Sequence, residues 1–466
     1  MEKKQEIKIP HTMAIMFTVM FIMAVMTYII PSGVYDRTVN EIGKKVIDPN
    51  SFHIVKHTPV TIMQFLSAIP DGFVAAGSVV GICLFPGGSI NVLRKIGIID
   101  AAIEALARKV EGKGIIVIPI LMFIFALIDC FIGTPELCVV YLPIVMPLMF
   151  RLGFDSITAM ATVVLGSSVG FTAGIANPFT IVIAQKLCEL PLYSGWQFRL
   201  LTFFTFYLIG VLYIIRYGRK VLAHPELSPM YETDSLKREQ YKEEKRADGT
   251  LSTRQTIAGL WTVSLFVIML YGTLKFGWDC PQMSGIFIAI GVGSGLICGM
   301  ETRKICVDFA DGCKECIMGA LFVAMSRGVS ILLAEGKIID TIVYGCSNLL
   351  IKFPAQVVII GIFIVVTILN FFIGSGSGKA VMLFPILSPL ADVCKITRQT
   401  AILSYQFGDG ITNMLWPTGG TQAACLGISG IPWNKWAKFY LPLAITWSLV
   451  SCVFLVIAQA IHLGPF

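Results

Sequence analysis

Two short stretches carry the residues with the clearest chemical potential: IGSGSGKA (373–380) and FIGTPE (131–136), with Asp129, Glu136, Lys379 and Asp409 in or near them, all inside apolar sequence. A glycine-rich run ending in Gly-Lys first suggests a phosphate cradle, which needs GxxxxGK followed by Ser or Thr. Here Ile373 stands where the first glycine belongs and Ala380 where the hydroxyl belongs. The run is therefore not a nucleotide loop. Its alternative chemistry is that of a helix start, where exposed backbone N–H groups and the positive end of the dipole hold an anion. Ionisable groups at membrane depth cost at least about 2.5 kcal/mol each, so all four are functional candidates.

The elements around them are membrane helices. The 466 residues are 55% hydrophobic and 14% charged, with mean hydropathy +0.77, whereas soluble domains run near a quarter charged. Runs long enough to cross a bilayer of about 30 Å recur throughout. Spans are expected at 11–30, 71–92, 156–185, 198–217, 256–276, 282–300, 306–333, 398–428 and 437–462. The first reads as an uncleaved span, because no small-residue cleavage site ends it. The basic segment Arg216 to Arg254 belongs in the cytoplasm by the positive-inside rule, which also puts the N-terminus there. The net charge of +7 fits basic loops and gives no reason to expect nucleic acid. The 13 cysteines and five histidines show no disulfide framework or metal spacing, and Cys313 and Cys316 lie in one predicted helix.

One unit is written twice. CFIGTPELCVVYLPIVMPLMF (130–150) matches FFIGSGSGKAVMLFPILSPLA (371–391), and the register of 241 to 242 residues holds through Gly133/Gly374, Pro143/Pro385, Pro147/Pro389 and Gly166/Gly408. Asp71-Gly72 against Asp311-Gly312 continues the match at an offset of 240. With the odd span 256–276 between them, the units enter the membrane from opposite sides, which is the inverted repeat of alternating-access transporters. The expected division is 1–220 for the first repeat, 221–255 for a cytoplasmic linker, 256–277 for a linking span and 278–466 for the second repeat. Segments 115–150 and 353–393 read as re-entrant hairpins, and 156–185 and 398–428 as helices broken by glycine and proline. Irregular backbone at that depth requires a protein or aqueous lining.

Four broken elements then converge on one site. Glu136 and Lys379, nearly equivalent in the two tips, are expected to pair across the pseudo-symmetry axis. Asp409, between Gly408 and Gly410, is the leading Na⁺ or H⁺ position, with Asp129 beside it. Thr134, Asn177, Ser375, Ser377, Thr412, Asn413 and Thr418 are expected polar partners for a bound carboxylate or amino group. Asp71 and Asp311 are expected to cap span ends, and Arg327 to snorkel to the outer interface.

At IPHTMAIMFTVMFIMAVMTYIIPSGVYDR (9–37), FIGTPE, ANPFTIVIAQ (176–185), NFFIGSGSGKA (370–380) and LSYQFGDGITNMLWPTGG (403–420), the chain resembles the YfcC/DcuC family of bacterial carriers within the ion-transporter superfamily. The resemblance implies a dimerising scaffold, a mobile transport domain, and nine transmembrane helices with two re-entrant hairpins. It also implies a cargo of the basic amino acid or the four-carbon dicarboxylate kind. Lys379 stands where the family's tip is expected to carry Gln, so that an ammonium replaces a bound Na⁺ or meets a substrate carboxylate. The expectation is an all-α polytopic inner-membrane protein, a homodimer that exchanges an amino acid such as arginine or ornithine by an elevator-like motion. It has no enzymatic role, ATP requirement or cofactor beyond a possible coupling ion. The alternative is a Na⁺- or H⁺-coupled four-carbon dicarboxylate carrier. A channel fits less well, and an aspartyl protease on Asp129 and Asp409 lacks the glycine two residues before Gly408.

Overall fold

The computed structural model describes residues 12–39, 45–48, 50–99, 101, 114–133, 135–175, 177, 180–243, 251–350 and 353–464. Thr134 and residues 102–113 lie outside them. The fold is helical. Among the described residues, seven helices are long and apolar enough to cross a membrane: Gly77–Lys95, Gly114–Ile132, Trp196–Ala223, Cys280–Ile297, Ile317–Glu335, Ala355–Phe372 and Trp433–Ala460. Beyond the helices, two short antiparallel strand pairs lie between 33 and 54.

Breaks fall where glycine and proline interrupt the apolar runs. Segment 115–150 forms Val117–Ile132 and Leu137–Arg151, and Gly133 ends the first helix in a left-handed conformation. Its counterpart forms Ala355–Phe372 and Gly376–Val393 around Ile373 to Ser375. The expected broken spans are Ser156–Thr172 followed by Ile181–Leu187, and Arg398–Asn413 followed by Gly420–Ser429. Spans 71–92 and 306–333 are broken too, which the sequence reading missed. They are Ile62–Ala75 with Gly77–Lys95 and Thr302–Glu315 with Ile317–Glu335, kinked at Ala76 and Cys316. Asp71 and Asp311 therefore sit inside helices, five residues before each kink, and cap nothing. Side-chain caps stand elsewhere, among them Thr61 and Asp279, each in a capping box with a glutamine three residues on.

The helices pack in two groups. Thr12–Ile29, Ile62–Ala75, Gly77–Lys95, Thr253–Phe276, Cys280–Ile297, Thr302–Glu315 and Ile317–Glu335 pack among themselves. In the other group, both arms of each broken pair pack against the helix that follows, Ser156–Thr172 or Arg398–Asn413. These two helices are buried along nearly their whole length, and they meet at one glycine. A Cβ on Gly410 would lie 2.3 Å from Thr172 Oγ1 and 2.7 Å from its Cα, so only glycine permits that crossing. The groups touch along Ile317–Glu335 and Gly420–Ser429, where a Cβ on Gly427 would lie 2.5 Å from the Gly319 amide.

The linker helix Tyr231–Glu243 clips both repeats from outside the spanning segments. Asp234 accepts from the Ser156 amide at 2.8 Å, and Lys237 donates to the Ser429 carbonyl at 2.6 Å. Burial pushes the Asp234 carboxyl up and the Lys237 ammonium down.

Candidate substrate site

A cavity of about 350 Å³ lies between the two helix groups. One wall is built by the breaks: Gly133, Pro135 and Glu136 from the first repeat, Gly374 to Ser377 from the second, and Asn413 with Gly419 to Thr421 from the second broken helix. The other wall is the kink at Ala76, the helix start at Asp279 and Cys280, and Ser326, Arg327 and Ser330. The charged side chains lining it are Glu136, Asp279 and Arg327.

Each charge is placed by a local feature of the chain. Glu136 follows the Gly-Thr-Pro break and stands at the start of Leu137–Arg151 without capping it. Asp279 caps Cys280–Ile297 by accepting from the Cys280 amide at 2.7 Å. The first turn of Gly376–Val393 also lines the cavity, with Ser375 as its cap accepting from the Gly378 amide at 3.2 Å. Its N-terminal end therefore presents a positive potential to an anionic group.

Two expectations about charge are corrected. Lys379 does not reach Glu136: it is fully buried and pairs with Asp409, Nζ to Oδ1 2.6 Å, both side chains being 0% exposed. The glycine at 376 makes room for that carboxylate, since a Cβ there would lie 2.8 Å from Asp409 Oδ2. Asp409 is thus already engaged by a cation and is not free for Na⁺ or H⁺ in this conformation. Arg327, an exposed residue of Ile317–Glu335, lines the cavity as well.

The remaining expected residues divide. Glu136, Ser375, Ser377 and Asn413 line the cavity. Thr412 and Thr418 are structural: Thr412 donates to the Gly408 carbonyl at 2.6 Å, and Thr418 to the Phe371 carbonyl at 2.7 Å. Asn177 is buried over Gly133 and accepts from the Thr180 amide at 3.2 Å. Asp129 is fully buried in Val117–Ile132, away from the cavity lining. Asn370 was overlooked, although the repeat register puts it opposite Asp129. It donates to the Asp409 carbonyl and to Thr412 Oγ1, each at 2.9 Å. Arg199, fully buried and donating to Gln406, also escaped notice, for it lies outside every glycine-rich stretch.

Apolar membrane helices, paired breaks and a polar cavity where the breaks meet define a multi-pass membrane transporter. The family model for DcuC, C4-dicarboxylate anaerobic carrier, matches residues 9–460, and the chain belongs to that family. Among curated proteins, it is similar to one from Escherichia coli (strain K12) described as "Putative basic amino acid antiporter YfcC". The two are 28% identical over 97% of this chain and 96% of that one. An uncharacterized protein of Haemophilus influenzae (strain ATCC 51907 / DSM 11121 / KW20 / Rd) is 26% identical over 99% of each. Solved structures similar to it include the YdaH transporter of Alcanivorax borkumensis, with TM-score 0.43 and 15% identity over 98% of this chain and 100% of that one. The Neisseria gonorrhoeae MtrF structure, described with a class of antimetabolite efflux pumps, has TM-score 0.44 and 15% identity over 98% and 96%.

Proposed function

We propose that the protein is a secondary carrier exchanging a cationic amino acid of the arginine, ornithine or lysine type, with the cavity as its binding site. The observation that carries this is charge complementarity. The cavity offers two carboxylates, Glu136 and Asp279, and one guanidinium, Arg327. A basic amino acid offers two cations and one carboxylate. Arg327 and the first turn of Gly376–Val393 take the carboxylate, and Glu136 and Asp279 take the cationic groups. Arginine binds carboxylates as a two-pronged donor, which fixes orientation as well as charge.

The two helix groups support a division into a scaffold, a dimer in the inner membrane, and a transport domain that slides against it in an elevator-like motion. In this reading nine helices span the bilayer, the two broken pairs are re-entrant hairpins of an inverted repeat, and the N-terminus and linker are cytoplasmic. A four-carbon dicarboxylate is the second reading, favoured by the description of the matched family and by Arg327 beside a helix N-terminus.

Counterflow in proteoliposomes tests the proposal. Vesicles loaded with unlabelled arginine should accumulate labelled arginine transiently, and external ornithine should compete. Accumulation driven only by internal succinate would support the dicarboxylate reading instead.

A further inference from the structure

We infer that the Lys379 ammonium is a built-in cation in an oxygen cage shaped for a monovalent metal ion, and that the second repeat therefore works without an exchangeable cation. This deepens the carrier reading and rests on it. Three oxygens from two segments converge on Nζ: Asp409 Oδ1 at 2.6 Å from Arg398–Asn413, and the Ile373 carbonyl at 3.1 Å with the side-chain oxygen of Asn370 from the end of Ala355–Phe372. Main-chain carbonyls freed by a helix break are the groups with which broken transporter helices coordinate Na⁺, and here one is joined by a carboxylate and an amide oxygen.

The cage is held rigidly. Asn370 accepts from Lys379 and donates to the Asp409 carbonyl and Thr412 Oγ1, and Thr412 in turn donates to Gly408. Asn370 and Ile373 lie at the C-terminal end of Ala355–Phe372, where the helix dipole favours a cation. A pair needed only to neutralise Asp409 would not call for the carbonyl of a break and an amide braced on both sides. Nor does the pair serve the cargo, because neither side chain lines the cavity and both are 0% exposed.

The test compares melting temperatures of the full-length protein in detergent, in NaCl and in choline chloride at equal ionic strength. Wild type should melt within about 1 °C in the two salts, whereas Lys379→Ala should gain about 5 °C, saturably, from NaCl. The double variant Lys379→Ala/Asp409→Asn, with no carboxylate left in the cage, should lose that gain. A saturable Na⁺ stabilisation of wild type would overturn the inference, as would a folded Lys379→Ala protein indifferent to Na⁺. If Lys379→Ala does not fold in either salt, the wild-type comparison decides alone. No cargo enters these measurements, so their failure leaves the substrate assignment standing, and failed counterflow leaves the cage standing.

Discussion

The two repeats differ most at their breaks. Beyond Gly374, Lys379 and Asp409 neutralise one another in the interior. At the corresponding positions of the first repeat stand Leu137 and Ser167, and the carboxylate of that repeat lies at Asp129, opposite Asn370. The first break sends Glu136 into the cavity, while the second sends serines and a helix start. One backbone design has been given two tasks. The first tip presents charge to the cavity, and the second keeps its charge internal and offers main-chain polarity.

The comparison can be broken most severely at the buried pair. Lys379→Met or Asp409→Asn alone leaves an uncompensated buried charge and should cost about 3 to 5 kcal/mol. The double variant Lys379→Met/Asp409→Asn should recover most of that in thermal melts. Ser167→Ala, at the first repeat's equivalent of Asp409, should cost no more than about 1 kcal/mol. Equal losses in both repeats would end the distinction.

The crossing of the two repeats comes next. Gly410→Ala forces a methyl against Thr172 and should destabilise by about 1 to 3 kcal/mol. Melting in detergent measures it, and a neutral result would mean that the broken helices are free to separate there.

A third comparison sets the tips against each other by affinity. Glu136→Gln should weaken arginine binding about tenfold, or 1.4 kcal/mol, with little change in melting temperature. Ser377→Ala, in the other tip, should change it less than about threefold. Isothermal titration separates these outcomes. The smallest effect is expected at Thr418→Ala, which loses its hydrogen bond to Phe371 for about 1 kcal/mol of stability while leaving affinity unchanged.

Much of this architecture was legible in the sequence because glycine and proline punctuate apolar runs without ambiguity. Gly133, Gly374 and the Pro417 to Gly420 run located breaks, whereas Gly408 and Gly410 lie inside the continuous helix Arg398–Asn413 and serve its packing; the repeat register located the partners. The kink at Cys316 was invisible because no proline or glycine adjoins it, whereas Gly77 beside Ala76 was a cue left unread. Side-chain partnership was the harder matter. A lysine's long stem reaches several neighbours, so equal depth of Glu136 and Lys379 did not decide which carboxylate the ammonium would meet. Asn370 was readable from its register with Asp129, but a lone amide carries no charge to draw notice.

The most direct test of the charge-complementary cavity is a ligand-dependent melting series on the purified wild-type protein. Arginine, lysine and ornithine should each raise the melting temperature with concentration, and Glu136→Gln should displace the rise to about tenfold higher ligand, while succinate and fumarate leave it unchanged. Stabilisation by succinate or fumarate, with none from the cationic amino acids, would contradict the account and reassign Arg327 and the first turn of Gly376–Val393 to a dicarboxylate.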